Sequence, residues 1–323
     1  IGGFGFGTTE FHVLRASSHI IASWIWHLLR QPAFLEKATE QFTGSVGQQR
    51  LPDDYLKSLQ IPLPPLPEQR RIAAILKEQM AAVEKARAAA EARLEAVKAL
   101  PAAFLREVFG TEPVISASPV TPRKAPLTGW TWHRLTDIAR LATGHTPSRY
   151  HSEYWKGDVP WIQLADIRVL DGHEAQDTAE HTNELGLANS SAVLLPKDTV
   201  CMSRTASVGF FTVMGRPMCT SQDFVNWVCG DALAPWFLLY LLIASREKIR
   251  ELGSGAVHKT IYFPTVKKFS VCVPSLAEQR RFANVLREQI SAAETARAAA
   301  EAELAAINVL PAALLRRAFN GEL

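Results

Sequence analysis

An internal repeat is the feature that most constrains how this chain can fold. Residues 64–109 align without a gap on residues 274–319, and about 28 of these 46 positions are identical. Upstream the match continues more weakly, with an offset that drifts from 213 to 210, as small loop deletions would produce. Self-similarity at a fixed period means that one structural unit has been duplicated, so we expect the two copies to fold alike.

The register of the repeat divides the chain into five segments. Residues 1–63 are predicted to be the end of a first globular unit, 64–110 a first long helix, 111–127 a Pro/Ser/Thr-rich linker, 128–273 a complete second globular unit, and 274–323 a second long helix. About 80–90 residues of the second unit have no counterpart in the first. We therefore expect this chain to be the later part of a protein of roughly 400–410 residues.

Each copy of the repeat predicts a long helix. The stretch from Glu68 to Ala99 contains no Gly or Pro and is dominated by Ala, Glu, Arg and Leu, which are strong helix formers. Pro101 and Pro311 are expected to kink or end the two helices. An a/d heptad seam comprises Ile72, Leu76, Gln79, Val83, Ala86, Ala90 and Val97 in the first copy, and Phe282, Leu286, Gln289, Ala293, Ala296, Ala300 and Ile307 in the second.

Two interpretations of these helices are open. Periodicity alone fits a coiled-coil dimerisation element, whereas a spacer that holds two globular units at a fixed separation requires each unit to carry its own helix. Because globule and helix are duplicated together, the repeat favours the spacer. The small residues in the middle of the seam would let the two helices pack closely on each other.

Composition excludes several classes of protein. With 47% hydrophobic and 21% charged residues the chain is typical of globular domains. No apolar run reaches the roughly 18–20 residues that cross a bilayer, so no membrane partner is expected. The four cysteines lack metal-ligand spacing, which indicates reduced thiols and a cytoplasmic location. The net charge of +3 permits a nucleic-acid partner without requiring one.

The complete globular unit is predicted to be an α+β domain. Its β-rich runs cover 159–164, 192–195, 198–202, 209–214, 223–229 and 268–273, and one helix is expected at 235–252. Residues 126–273 hold 14 Lys and Arg against 14 Asp and Glu, so this unit is neutral. A neutral unit lacks the excess of positive charge that non-specific electrostatic binding of nucleic acid requires.

The sequence shows no catalytic motif. It contains no G-x-x-x-x-G-K-[ST] phosphate loop, no N-P-P-[FY] methyltransferase motif and no PD…(D/E)xK nuclease pattern, and its nine histidines are scattered. The glycine-rich phrase from Gly2 to Gly7 has no strand before it and aligns with a loop of the second copy. We therefore predict that this chain is not an enzyme and has no cofactor or metal of its own.

Several short sequence motifs occur together along the chain. They are Gly129-Trp-x-Trp132, Gly144-His-Thr-Pro-Ser-Arg149, Asp158-Val-Pro-Trp-Ile162, Ser203-Arg204, Gln222-Asp-Phe224, the two Glu-Gln-Arg-Arg helix starts, and Phe319-Asn-Gly-Glu-Leu323. In these phrases the chain resembles the specificity subunit of type I restriction–modification systems. The resemblance covers essentially the whole chain, apart from the missing first half of the first globular unit.

The resemblance implies two target-recognition domains joined by two long antiparallel coiled-coil helices. Each domain would read half of a split site in double-stranded DNA, and this chain would direct two methyltransferase subunits and the restriction/translocase subunits to it. S-adenosylmethionine, ATP and Mg would bind to those partners. The residues assigned to the spacer and to partner binding are Arg70, Arg71, Leu76, Val83, Arg280, Arg281, Leu286 and Ile307.

Thirteen residues are predicted DNA contacts, because they combine hydroxyls, amides and cations in loops next to predicted strands. They are Thr146, Ser148, Arg149, Tyr150, Gln163, Arg168, Ser203, Arg204, Thr205, Ser221, Gln222, His258 and Lys259. Six tryptophans are predicted to be core residues instead of stacking platforms: Trp130, Trp132, Trp155, Trp161, Trp227 and Trp236.

Two other functions remain open at this point. The chain could be the recognition part of a fused restriction–methyltransferase polypeptide, whose catalytic motifs would lie upstream. It could also be a coiled-coil adaptor whose globular units bind protein.

Overall fold

The computed structural model of the chain describes residues 7–8, 10–45, 49–255 and 259–323. The chain forms two compact units. The first comprises Ile1–Lys98 and Thr295–Leu323, and the second comprises Ala99–Glu294. Each unit therefore contains parts of both long helices that the repeat predicts.

The first unit is helical. Its elements are α1 (Ala22–Leu29), α2 (Pro32–Glu40), α3 (Asp53–Ser58), the greater part of α4 (Leu66–Phe109) and residues 295–319 of the second long helix. The second unit has a mixed architecture. Its elements are β1 (Ile115–Ser116), β2 (Thr131–Arg134), α5 (Leu135–Ile138), β3 (Ala139–Thr143), a 3₁₀ turn (Ser152–Trp155), β4 (Val159–Ile162), α6 (Leu164–Leu170), β5 (Glu174–Ala175), β6 (His181–Thr182), α7 (Glu184–Ala188), β7 (Val200–Ser203), β8 (Phe211–Met214), β9 (Cys219–Thr220), β10 (Phe224–Cys229), α8 (Pro235–Ala244), α9 (Arg246–Glu251), α10 (Phe263–Val266), β11 (Ser270–Val273) and the start of α11 (Leu276–Phe319).

The α+β prediction is confirmed, with small differences in the elements. The run 192–195 forms only an isolated bridge, between Leu195 and Met218. The predicted helix 235–252 is interrupted at Ser245 and continues as α9.

Both long helices continue through their internal prolines. The expectation that Pro101 and Pro311 would kink or end them is wrong as regards the ends, since α4 runs to Phe109 and α11 to Phe319. A proline removes one backbone hydrogen bond from a helix. The turns that follow are held by burial of their apolar side chains, among them Leu105 and Leu315, which outweighs that loss.

A buried glutamine anchors the chain before α1 onto the first turn of α4. The Gln69 side-chain amide donates to the carbonyl oxygens of His19 and Pro64, at 2.9 and 2.8 Å. Its oxygen accepts from the Ile21 N–H at 3.0 Å. Gln69 has no exposed surface, so all these bonds form away from water.

The second unit repeats this clamp. Gln279, in the first turn of α11, donates to the carbonyl oxygens of Ala232 and Pro274 at 3.1 and 3.0 Å, and accepts from the Ala234 N–H at 2.9 Å. Gln279 is 1% exposed. The partners sit at equivalent positions of the sequence repeat, so the duplication preserves individual hydrogen bonds.

Inside each unit the two long helices run antiparallel. In the first unit, Leu76 near the start of α4 and Leu315 near the end of α11 belong to one buried cluster. Arg93 forms an ion pair with Glu303 at 2.7 Å. Trp24 of α1 packs on Phe319, with ring centroids 4.6 Å apart.

The second unit shows the equivalent packing. Leu105 and Phe109 at the end of α4 share a cluster with Leu286 near the start of α11. Phe109 also packs on Phe237 of α8, with centroids 5.4 Å apart. Phe109 and Phe237 are the repeat counterparts of Phe319 and Trp24, so the helix pairing is duplicated as well.

The predicted linker is partly a structural element. Val114 and Ile115 are buried, and β1 pairs antiparallel with β11 in a three-stranded sheet of order β1-β11-β2. A simple linker is therefore the wrong interpretation for residues 114–116. The β1 backbone pairs with an edge of β11 that would otherwise be unpaired, and its apolar side chains are buried.

A five-stranded sheet of order β3-β10-β7-β8-β5 forms the centre of the second unit. It is antiparallel except for the β5–β8 pair. One face packs on α8 through a core that includes Trp227, Phe211 and Phe237. The other face covers a smaller core that includes Ile162, Ile167 and Phe224. A third sheet, of order β6-β4-β9, flanks the smaller core.

By length and apolarity, α11 is the one helix among the described residues that could cross a membrane. Its apolar window is rich in alanine, and its buried residues Leu315 and Ala318 pack in the helical core of the first unit. Both properties are ordinary in a coiled-coil helix.

The glutamine clamps give a stability prediction. Replacing Gln69 or Gln279 by leucine leaves one N–H and two carbonyl groups without partners, which should lower the free energy of unfolding by about 2–3 kcal/mol. Urea denaturation measures the change. Gln79→Leu is the matched control, because the Gln79 side-chain oxygen is buried and has no hydrogen-bond partner, so its loss should cost nothing. Equal unfolding midpoints for Gln279→Leu and Gln79→Leu would contradict the prediction.

Candidate nucleic-acid interface

Three loops meet at one edge of the five-stranded sheet. In the strand register, Thr143 at the end of β3 pairs with Val225, and Ser203 at the end of β7 pairs with Phe224. The loops that follow β3 and β7, and the turn that precedes β10, therefore lie side by side. Loops held at the end of a rigid sheet are a common place for binding residues.

The first contact between these loops depends on a glycine. A Cβ on Gly144 would lie 2.1 Å from the Ser221 carbonyl oxygen and 2.2 Å from that of Thr220. The neighbouring His145 N–H donates to the Thr220 carbonyl at 2.9 Å. Only glycine lets the two backbones approach this closely.

Gln222 joins all three loops. Its side-chain oxygen accepts from the Thr146 hydroxyl at 2.5 Å, and its carbonyl oxygen accepts from Arg204 Nη2 at 2.8 Å. The Arg204 N–H donates to the Asp223 carbonyl oxygen at 2.8 Å. The structure thus brings together Thr146, Arg204 and Gln222, which the sequence placed on separate loops.

The segment 203–209 is held in a tight conformation. Ala206 and Gly209 have positive φ values of 57° and 81°. The Ser203 hydroxyl donates to the Ser207 carbonyl and accepts from the Phe210 N–H. Non-glycine residues rarely adopt the left-handed region, so side-chain bonds of this kind are needed to hold the turn.

Ser203 and Ser221, two of the predicted DNA contacts, are buried, at 0% and 2% exposure. The Ser221 hydroxyl donates to the Asp223 carboxylate at 2.9 Å. Both hydroxyls form hydrogen bonds within their own loops and do not face solvent. Thr205 is half-buried and forms a bridge with Thr260, which places it beside Lys259.

Positive charge gathers around this segment although the domain is neutral overall. Arg168 donates to the Ser207 hydroxyl at 3.1 and 2.7 Å, and Lys259, whose carbonyl accepts from the Ala206 N–H, is exposed. Arg250 is a further cation that the sequence did not indicate, with Nε 3.3 Å from the Val208 carbonyl and Nη1 in an ion pair with Glu247 at 3.0 Å. Its place in the last turn of a short helix gave no signal of contact with a distant loop.

The side chain of Arg149 is bound by other residues of its own domain. Its guanidinium donates to both carboxylate oxygens of Glu180, at 3.0 and 2.6 Å, and lies 3.8 Å from the Trp155 ring centroid and 4.9 Å from that of Trp161. The two guanidinium N–H groups that a bidentate contact with guanine would need are thus already bonded to Glu180. The prediction of Arg149 as a base contact is therefore not supported by the geometry.

The tip of the same loop is displayed to solvent. Tyr150 is 99% exposed, and Ser148 is exposed while its carbonyl accepts from the Trp155 indole at 3.2 Å. Gln163 instead caps α6, in a reciprocal box with Asp166. His258 lies outside the described residues.

The tryptophan prediction fits the structure. Trp161 and Trp227 are buried at 3% and 0% exposure, and the other four are half-buried. The cysteines are free thiols, and burial raises the pKa of Cys219 and of Cys229 to about 12, which keeps them unreactive. Among the described residues no group of three or more His, Cys, Asp or Glu could hold a metal ion.

The residues assigned to the spacer fall into two sets. Leu76, Val83 and Leu286 are buried, and Ile307 is half-buried; they form the helix seam. The seam differs from the predicted one in that Leu94 is buried, whereas Ala86 and Ala296 are exposed.

The four arginines of the second set, Arg70, Arg71, Arg280 and Arg281, are exposed. Arg71 bonds Glu68 and the Leu323 carbonyl, and this arginine holds the pKa of Glu68 below its usual value. Arg281 lies over the Phe282 ring, 4.4 Å from its centroid.

The family model of the type I restriction modification DNA specificity domain matches residues 3–91 and 128–303. The chain belongs to this family. Among curated proteins it is 28% identical over 159 residues to the type I restriction enzyme MjaIX specificity subunit of Methanocaldococcus jannaschii. The aligned residues cover 49% of this chain and 37% of that protein. It is 45% identical over 71 residues to the EcoAI specificity subunit of Escherichia coli, 22% of this chain and 12% of that one. The matched parts thus span well under half of these relatives.

Two solved structures share the fold. One chain, from a study of complex assembly and conformational transition of the type I R-M system, matches with a TM-score of 0.70 and 23% identity, covering 93% of this chain and 71% of that one. The HsdS subunit from Thermoanaerobacter tengcongensis matches with a TM-score of 0.57 and 22% identity, covering 93% and 70%.

Gly144 provides a test of the loop arrangement. Gly144→Ala places a methyl group inside contact distance of two carbonyl oxygens, so the loops must separate, and we expect a loss of roughly 3 kcal/mol in the free energy of unfolding. Thermal and urea denaturation measure it. In the control, Gly7→Ala, the added carbon lies 3.5 Å or more from its neighbours, which is ordinary van der Waals contact, and should have a small effect. If the two variants were equally stable, the close approach at Gly144 would be disproved.

Proposed function

We propose that this chain recognises double-stranded DNA as the specificity subunit of a type I restriction–modification system. The observation that carries the proposal is the match to the DNA specificity domain over both copies of the repeat, residues 3–91 and 128–303. The cluster of donor side chains around Gln222, with cations around the segment 203–209, supports it, since phosphates and base edges are recognised by such groups.

Different segments of the chain and different partner subunits would have separate roles. Residues 1–63 and 128–273 would belong to two target-recognition domains, and 64–110 and 274–323 would be the spacer helices. Two methyltransferase subunits and the restriction subunits would be the protein partners, in the cytoplasm. S-adenosylmethionine, ATP and Mg would bind to those partners, since no catalytic constellation was found in the sequence.

The chain should be tested in complex with the modification subunits of its own host. Selection of bound fragments from a random duplex library, sequenced at several salt concentrations, would show a split motif if the proposal is correct. Binding without any sequence preference would disprove it and favour the protein adaptor. Methyltransferase motifs in the same reading frame upstream would favour the fused polypeptide.

Arg204 gives a residue-level prediction. Arg204→Ala should weaken binding by roughly 1–3 kcal/mol and relax the preference at one base pair. Arg140→Ala is the control, because Arg140 is exposed at the opposite end of β3. Quantitative binding to the selected motif and its single-base variants separates the two cases. A uniform loss on all sequences would instead assign Arg204 to a phosphate.

Helix length gives a further prediction. Seven residues inserted at equivalent points of α4 and α11 add about 10 Å of helix, or roughly three base pairs of DNA. The gap between the two half-sites should lengthen while each half-site stays the same. The methylated motif, read by sequencing, is the measurement, and an unchanged gap would reject the spacer interpretation.

A further inference from the structure

Gln222 is held in one orientation at the loop edge. Its side-chain oxygen accepts from the Thr146 hydroxyl at 2.5 Å, so the amide nitrogen points away from Thr146. Gln222 is exposed, and that nitrogen has no hydrogen bond among the described residues. A glutamine free to use both ends can pair with adenine through a donor and an acceptor, whereas this one presents its donors.

Arg204 presents donors beside it. Arg204 Nη2 bonds the Gln222 carbonyl at 2.8 Å, and the guanidinium lies 4.9 Å from the Phe263 ring centroid. Its Nε is buried without a partner among the described residues, so only the Nη groups are left to donate to a ligand. The Asp223 carboxylate in this turn accepts from the Ser221 hydroxyl at 2.9 Å.

We infer that Arg204 and Gln222 form a donor-only pair that selects guanine in the major groove. Guanine presents two acceptors there, N7 and O6; thymine and adenine present one each, and cytosine presents an amino donor. A surface of N–H groups therefore matches guanine best and repels the amino group of cytosine. Thr146 is the positioning residue, because its hydroxyl fixes which end of the Gln222 amide faces outward.

This inference rests on the proposed function, and it is tested with the complex of chain and modification subunits. Gln222→Glu replaces the amide donor by an acceptor oxygen. Binding selection from a random duplex library should then show a change at one position, from guanine to a base with an amino group, with about a ten- to hundred-fold loss on the original motif. Thr146→Val frees the amide and should let adenine be accepted at the same position.

Gln41→Glu is the matched control, because it makes the same change at an exposed residue at the end of α2 and should leave the motif intact. Circular dichroism and thermal unfolding verify that each variant is folded. If Gln222→Glu does not fold, Arg204→Lys and Thr146→Val carry the test, and both should relax the same guanine position.

The outcomes separate the two levels of the proposal. A wild-type complex without sequence preference would overturn the proposed function itself. A specific wild-type complex whose motif has no guanine affected by these variants, or whose variants lose affinity equally on all sequences, would overturn only the assignment of Arg204 and Gln222.

Discussion

The buried glutamine in the first turn of each long helix is the interaction on which the two units depend. Gln69 and Gln279 each bond three backbone groups at 2.8–3.1 Å, where no water can replace them. An unmade bond at such a place has a large cost, so the preceding chain is fixed relative to the helix. That fixed start places α1 and α8 against the helix seams, where Trp24 and Phe237 pack on the ends of the opposite helices.

The three loops that meet at one edge of the five-stranded sheet are built on this frame in the second unit. α8 supports one face of the five-stranded sheet, and the sheet in turn delivers three loops to the same edge. Gly144 allows the closest backbone approach, and Gln222 ties the loops through one side-chain and one backbone bond. A neutral domain thereby presents a local concentration of cations and donors, which suits base readout better than a uniformly basic surface.

Much of this could be predicted from residue patterns. The repeat, the helix-forming composition of residues 68–99 and the heptad seam predicted two long paired helices, which are present. The prolines misled the prediction of their ends, because burial of Leu105 and Leu315 is a tertiary effect. Val114 and Ile115 looked like linker residues because a two-residue strand has no periodicity to detect. Ser203 and Ser221 looked like DNA contacts because a hydroxyl in a loop gives no sign of the direction it faces.

The sequence by itself determined the duplication, the family and the positions of the helices, because these follow from local composition and from residues that recur at a constant offset. Only the tertiary structure decided which polar residues act together. Thr146, Arg204 and Gln222 are far apart along the chain and meet because β3, β7 and β10 are neighbours in register. The Arg149 guanidinium is bound by Glu180 and lies against two tryptophans, contacts that no local pattern indicates. Strand order and side-chain partners arise from packing over long separations, and short-range patterns carry no record of them.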